Sequence, residues 1–145
     1  MGDNQSYLRW QKIRITQLGY TNNLIIALAI GLLAFIVSYI QTEGLELSYL
    51  QKYFFWSGTG LSISSIGLGI YVVVNRLEDF RLTAQIARNR EKNKRDTIDS
   101  DRIKTAKLGK RTKITFILQI ATFLIAFLLL LIMIILEFNE AGKFN

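Results

Sequence analysis

Ile114-Thr-Phe-Ile-Leu-Gln-Ile-Ala-Thr-Phe-Leu-Ile-Ala-Phe-Leu-Leu-Leu-Leu-Ile-Met-Ile-Ile-Leu136 lies between Lys113 and Glu137 and carries no charge. A helix rises about 1.5 Å per residue, so roughly 20 apolar residues cross a hydrocarbon core about 30 Å thick. A soluble bundle helix of this length keeps a polar face, and this stretch has almost none. It therefore predicts a transmembrane helix.

Two further uncharged blocks lie upstream. Tyr53 to Asn75 sits between Lys52 and Arg76, and no charge occurs between Arg14 and Glu43, where Leu24 to Ile40 is almost wholly apolar. The expected fold is all-α, an integral membrane protein with three transmembrane helices. They cover 23–41, 53–75 and 114–136, with a helical hairpin over 76–113 between the second and third. The first block is not read as a signal peptide, because Gln41-Thr-Glu-Gly44 follows it instead of a small-residue cleavage site. The opening Met-Gly-Asp-Asn-Gln-Ser fits the loose myristoylation pattern, but beside three spans a lipid adds little anchoring. That match is read as chance.

Composition narrows the chemistry. The 145 residues make at most one domain, and they include no cysteine, histidine or proline. Disulfides, thiolate metal sites and cysteine nucleophiles are excluded, and the commonest general base is missing. The expectation is a protein that is not an enzyme, with no catalytic residue, cofactor or metal site. Without proline, helices can run long and unkinked.

Charge sets the expected orientation. Segment 1–22 holds Arg9, Lys12 and Arg14 against Asp3, and 76–113 holds thirteen Lys/Arg against six Asp/Glu. The loop 42–52 and the tail 137–145 each have one lysine against two glutamates. Lys and Arg near spans stay on the cytosolic side. The expected localisation is the cell inner membrane, with the amino terminus and hairpin cytosolic and 42–52 and 137–145 external. Trp10, Tyr20, Tyr39, Tyr53, Trp56 and Tyr71 lie near block edges, where amphipathic rings favour the headgroup zone.

Outside the spans, Tyr7 to Tyr20 reads equally as an interfacial helix anchored by Trp10 or as an extension of the first span. In the hairpin, Leu77, Phe80, Ala84 and Ala87 recur at three and four residues and predict an apolar seam, with Ile103 and Ala106 facing it. Asp96-Thr-Ile-Asp-Ser-Asp101 supplies capping residues for the returning helix. Glu78 and Arg81 read as a surface ion pair. The basic run Arg88 to Arg95 reads first as a solvated tip and second as a contact for anionic lipid. Nucleic acid is not an expected partner, since no aromatic interleaves with these cations.

The second span is rich in small residues. Gly58, Ser62, Ser65 and Gly69 follow four-three-four spacing and share a face, and Gly60, Ser64, Gly67 and Tyr71 form another alongside. Small residues permit close helix approach in lipid. In the third span Gln119 and Thr122 belong to a polar stripe with Thr115, and Gln119 must face protein or water. Helix packing and pore lining are both open for Gly58, Ser62, Ser65, Gly69, Gln119 and Thr122. No span contains an ionisable Asp, Glu, Lys or Arg, which argues against coupled transport and proton pumping.

Asn75-Arg-Leu-Glu-Asp-Phe-Arg-Leu-Thr-Ala84, with Trp10-Gln-Lys12 and Gly19-Tyr20, resembles a group of small bacterial membrane proteins with no assigned activity. Two spans followed by a charged cytosolic helix are also similar in architecture to the SLATT membrane effectors of bacterial defence. That resemblance implies an oligomeric pore triggered by a nucleotide-sensing partner, although the third span departs from it. Arg76, Asp79 and Arg81 mark the cytosolic junction, as ion pairs or as contacts between subunits. The expected function is a self-associating membrane protein, a homo-oligomer in the bilayer, gated through the hairpin. The alternative is an accessory subunit that docks a protein partner there.

Overall fold

The computed structural model describes residues 3–41, 47–91 and 98–140. Residues 42–46 of the expected loop 42–52, the tip at 92–97 and the tail from 141 onward lie outside the described residues. So does the first part of the predicted capping segment.

Three helices make up the fold: α1 (Asp3–Ile40), α2 (Tyr49–Glu91) and α3 (Ile98–Glu140). Each contains a segment long and apolar enough to cross a membrane. At about 1.5 Å per residue, α2 and α3 are each about 65 Å long, twice what a span needs. No proline interrupts them, and each continues straight through its uncharged block into the charged segment. Tyr7 to Tyr20 is likewise an unbroken part of α1, an extension of the first block.

The start of α2 is capped. Ser48 N–H donates to Gln51 Oε1 at 2.7 Å, while Lys52 N–H reaches Ser48 O at 3.0 Å, half of a capping box. Asp99 and Asp101 occupy the first turn of α3, where carboxylates suit the helix dipole.

The most extensive packing joins α2 to α3 as an antiparallel pair; α1 lies mainly on α2 and touches α3 little. The register follows from cross-helix contacts. Ile15 O meets Arg76, Asn22 meets Gly69, Ser65 meets Gln119, and Gln85 meets Asp101. The molecule thus has a loop end, where α1 joins α2, and a hairpin end, where the charged parts of α2 and α3 run on together.

Polarity is inverted relative to a water-soluble bundle. Leu118, Leu124, Leu128, Ile132 and Ile135 of α3 face outward, whereas Asn22, Ser62, Ser65 and Gln119 are inside. An apolar exterior of this extent is unfavourable in water and suits lipid.

The hairpin seam differs from the sequence expectation. Leu77 is 63% exposed, Phe80 47% and Ile103 59%, and Ala84, Ala87 and Ala106 also face out. The covered side instead carries Asp79, Leu82 and Ile86 on α2 with Ile98, Asp101, Thr105, Leu108 and Thr112 on α3. The reason is phase. Because α2 is continuous, its inward face is set by Gly58, Ser62, Ser65, Gly69, Val72 and Asn75, and that spacing projects to Asp79, Leu82 and Ile86.

Candidate functional site

The inward face of α2 meets α3 through residues too small to hold helices apart. A Cβ on Gly58 would lie 2.6 Å from Leu130 Cγ and 3.3 Å from Ala126 O. A Cβ on Gly69 would lie 2.5 Å from Gln119 Nε2 and 2.7 Å from Ile26 Cγ1. Both glycines are therefore required by close approach, Gly58 to α3 and Gly69 to both neighbours. Between them Ser62 and Ser65 are fully buried; Ser62 Oγ donates to Gly58 O, and Ser65 Oγ donates to Gln119 O, both at 3.0 Å. The face of Gly58, Ser62, Ser65 and Gly69 is thus covered within one chain.

The second small-residue face is not covered. A Cβ on Gly60 or Gly67 would meet nothing within 4 Å, and Ser64 and Tyr71 are exposed beside them. Ser64 Oγ donates to Gly60 O at 2.8 Å, so its hydroxyl is satisfied on its own helix and presents little polarity outward.

A polar node forms where the three helices meet. Asn22 of α1 is 1% exposed, and its Nδ2 donates to Gly69 O at 3.4 Å. Gln119 of α3 is 0% exposed, and neither its Oε1 nor its Nε2 has a hydrogen-bond partner. Asn22 Oδ1 is also unpartnered. A buried amide atom left without a partner costs about 1–3 kcal/mol. Thr122 is less deeply placed; its hydroxyl donates to Leu118 O at 2.9 Å, with Gln119 O also at 3.0 Å. Thr115 and Thr112 continue the buried face of α3 towards the hairpin.

At the junction the three charged residues have different settings. Arg76 Nη2 donates to Ile15 O at 2.8 Å, and its guanidinium stands 5.6 Å from the Phe80 ring centroid. This ties α2 to α1 where the charged segment begins. Burial lowers the Arg76 pKa, with the Asp79 charge opposing the shift. Burial raises the Asp79 carboxyl pKa, with the Arg76 charge opposing it. Asp79 Oδ1 is buried without a hydrogen-bond partner, and so is Asn75 Nδ2 just above it. Arg81 instead reaches Glu78 at 4.0 Å, both side chains being at least half exposed. Such a pair is worth little in water.

Farther along the hairpin, Asp101 is buried, accepting from Gln85 Nε2 at 3.4 Å and lying 3.8 Å from Lys104 Nζ. Among the described residues no group of three or more Asp or Glu is gathered as metal ligands.

Sequence reasoning passed over Asn22 and Asn75. Asn22 lies three and seven residues before Ile25 and Ala29, all three buried, so it was on the inward face of α1 by spacing alone. Asn75 continues the Ser65, Gly69 and Val72 spacing of α2.

Helices and node together define a class: a three-helix bundle with an apolar exterior and a polar seam, built of helices able to cross a membrane. Compared with known protein families, curated proteins and solved structures, the chain matches none significantly.

Proposed function

We propose that this chain is a non-enzymatic, self-associating, multi-pass protein of a bacterial inner membrane. Its amino terminus and α2–α3 hairpin lie in the cytosol and its carboxyl terminus lies outside. The charge distribution supports that orientation, through the cation-rich 76–113 segment. Copies assemble through the uncovered face of α2 into a pore whose opening is controlled through the hairpin. The similarity in architecture to SLATT effectors supports the pore.

The observation that carries self-association is the free space outside Gly60 and Gly67. A neighbouring helix can approach there as closely as α3 approaches Gly58, and in lipid such packing drives association. The test is the mass of the detergent-solubilised particle. Wild type should run as a multiple of 16.6 kDa, and Gly60→Leu with Gly67→Leu should reduce it to one chain without loss of helicity. An unchanged particle would remove this face from the assembly. Bilayer recordings on the wild-type oligomer should show conductance, and a silent oligomer would remove the pore.

One observation favours a second reading, an accessory subunit. Leu77, Phe80 and Ile103 are exposed on the charged hairpin, where water would surround them. A partner protein covering this patch would stay bound to the wild type and be lost with Phe80→Glu, while particle mass without partner is one chain.

A further inference from the structure

Seven buried side-chain atoms lack a hydrogen-bond partner among the described residues, and five of them lie between the levels of Asp79 and Gly69. They are Asp79 Oδ1, Asn75 Nδ2, Asn22 Oδ1, and Oε1 and Nε2 of Gln119. On α2 their levels run from Asp79 and Asn75 down to Gly69, the residue that meets both Asn22 and Gln119. Ser65, Thr112 and Thr115 add buried hydroxyls along the same interface. From Asp79 to Ser62 this polar seam covers about 25 Å of helix. Beyond it the interior changes character: Ile36, Phe55, Leu130 and Met133 form a closed apolar cluster.

We propose that the hairpin-side half of the helix interface binds water, as a narrow column that enters at Asp79 and Asn75, reaches the amides of Asn22 and Gln119, and stops at the Leu130–Met133 cluster. Three observations converge on water as the ligand. Donors and acceptors are both unmet, which an anion or a cation would satisfy only in part. Four of the five atoms belong to neutral amides, so no charge calls for a counter-ion. Asp79 itself is only partly buried, which leaves the column an entrance. Buried waters occupy such places, typically with about three hydrogen bonds to polar groups otherwise unpaired. Direct pairing between the amides does not remove the need. Even with Gln119 Nε2 bonded to Asn22 Oδ1, and Asn75 Nδ2 bonded to Asp79 Oδ1 four residues on, Gln119 Oε1 would still lack a partner. The column is a property of a single chain and holds whether or not copies assemble.

The experiment is magnetisation transfer from water to side chains in solid-state NMR of the full chain in lipid bilayers. The side-chain amides of Asn22, Asn75 and Gln119 should receive water magnetisation as early as that of the exposed Gln85, and the Met133 methyl should lag far behind. Gln119 and Asn22 amides as slow as the Met133 methyl would overturn the proposal. Gln119→Leu supplies the second reading. It should abolish early transfer to Asn22 while Asn75 keeps its own, which also reports that the helices still pack. Undiminished transfer to Asn22 in that variant would break the column into unconnected sites and overturn it equally.

Discussion

The two ends of the same helix interface are held by different means. Towards the loop end, Ile36, Phe55, Leu130 and Met133 interlock with Leu32, Leu33 and Ile134 around them. Towards the hairpin end, the interior mixes the polar Asn22, Ser62, Ser65, Asn75, Thr115 and Gln119 with the apolar Ile25 and Val72. In lipid the apolar half gains no hydrophobic free energy from association; its cohesion is dispersion between well-fitted side chains. The polar half gains cross-helix hydrogen bonds from Asn22 to Gly69 O and from Ser65 to Gln119 O, each modest, but these fix the register, because a shift of one turn loses both. One end supplies fit and the other supplies address.

Five substitutions break or sharpen that contrast, and unfolding in denaturing detergent reads each. The largest effect belongs to Leu130→Ala, which hollows the apolar half and should cost about 2–3 kcal/mol. A cost below that of any polar substitution would reverse the assignment of cohesion. Next comes Gly58→Ala, whose new methyl meets the buried Leu130 side chain at 2.6 Å and should cost about 1–3 kcal/mol by overpacking. Measured on the dissociated single chain, Gly60→Ala, the same change half a turn away where nothing lies within 4 Å, should instead leave stability equal or raise it by about 0.5 kcal/mol. Equal responses at the two glycines would mean that the inward face of α2 is misassigned.

Ser65→Ala deletes the hydroxyl donated to Gln119 O and should cost only about 0.6 kcal/mol, the average for such bonds between membrane helices. The last effect is one of pH. Burial raises the Asp79 pKa, so the fold favours the neutral acid. That contribution is complete below the ordinary value of 3.8 and is lost as pH rises through the higher folded value. Asp79→Asn should therefore gain stability relative to wild type on going from about pH 3.5 to about pH 7. A constant difference across that range would mean that the carboxyl is not held in a desolvated setting.

The three helices were legible because charge is excluded from long runs, a signal that needs no knowledge of partners. The shared face of Gly58, Ser62, Ser65 and Gly69 was legible too, since helical periodicity alone places them together. What covers that face was not, because two small-residue faces lie side by side on α2 and composition does not rank them. Asn22 escaped notice at the edge of an apolar block; its importance depends on the register that sets it against Gly69, a relation between residues 47 apart in sequence. The hairpin seam was misread for a related reason. Leu77, Phe80, Ala84 and Ala87 form a good local apolar pattern, but a rigid helix inherits its rotation from the part already packed.

Gln119 carries a consequence for how the protein is made. In a bilayer, synthesis would deliver α1 and α2 before α3, so Ser65 would await the carbonyl of a Gln119 not yet translated. When α3 arrives, its glutamine has neighbours only if the earlier pair is already aligned. In lipid, a chain whose third helix arrived out of order would leave that carboxamide unshielded, a costly place for a polar group.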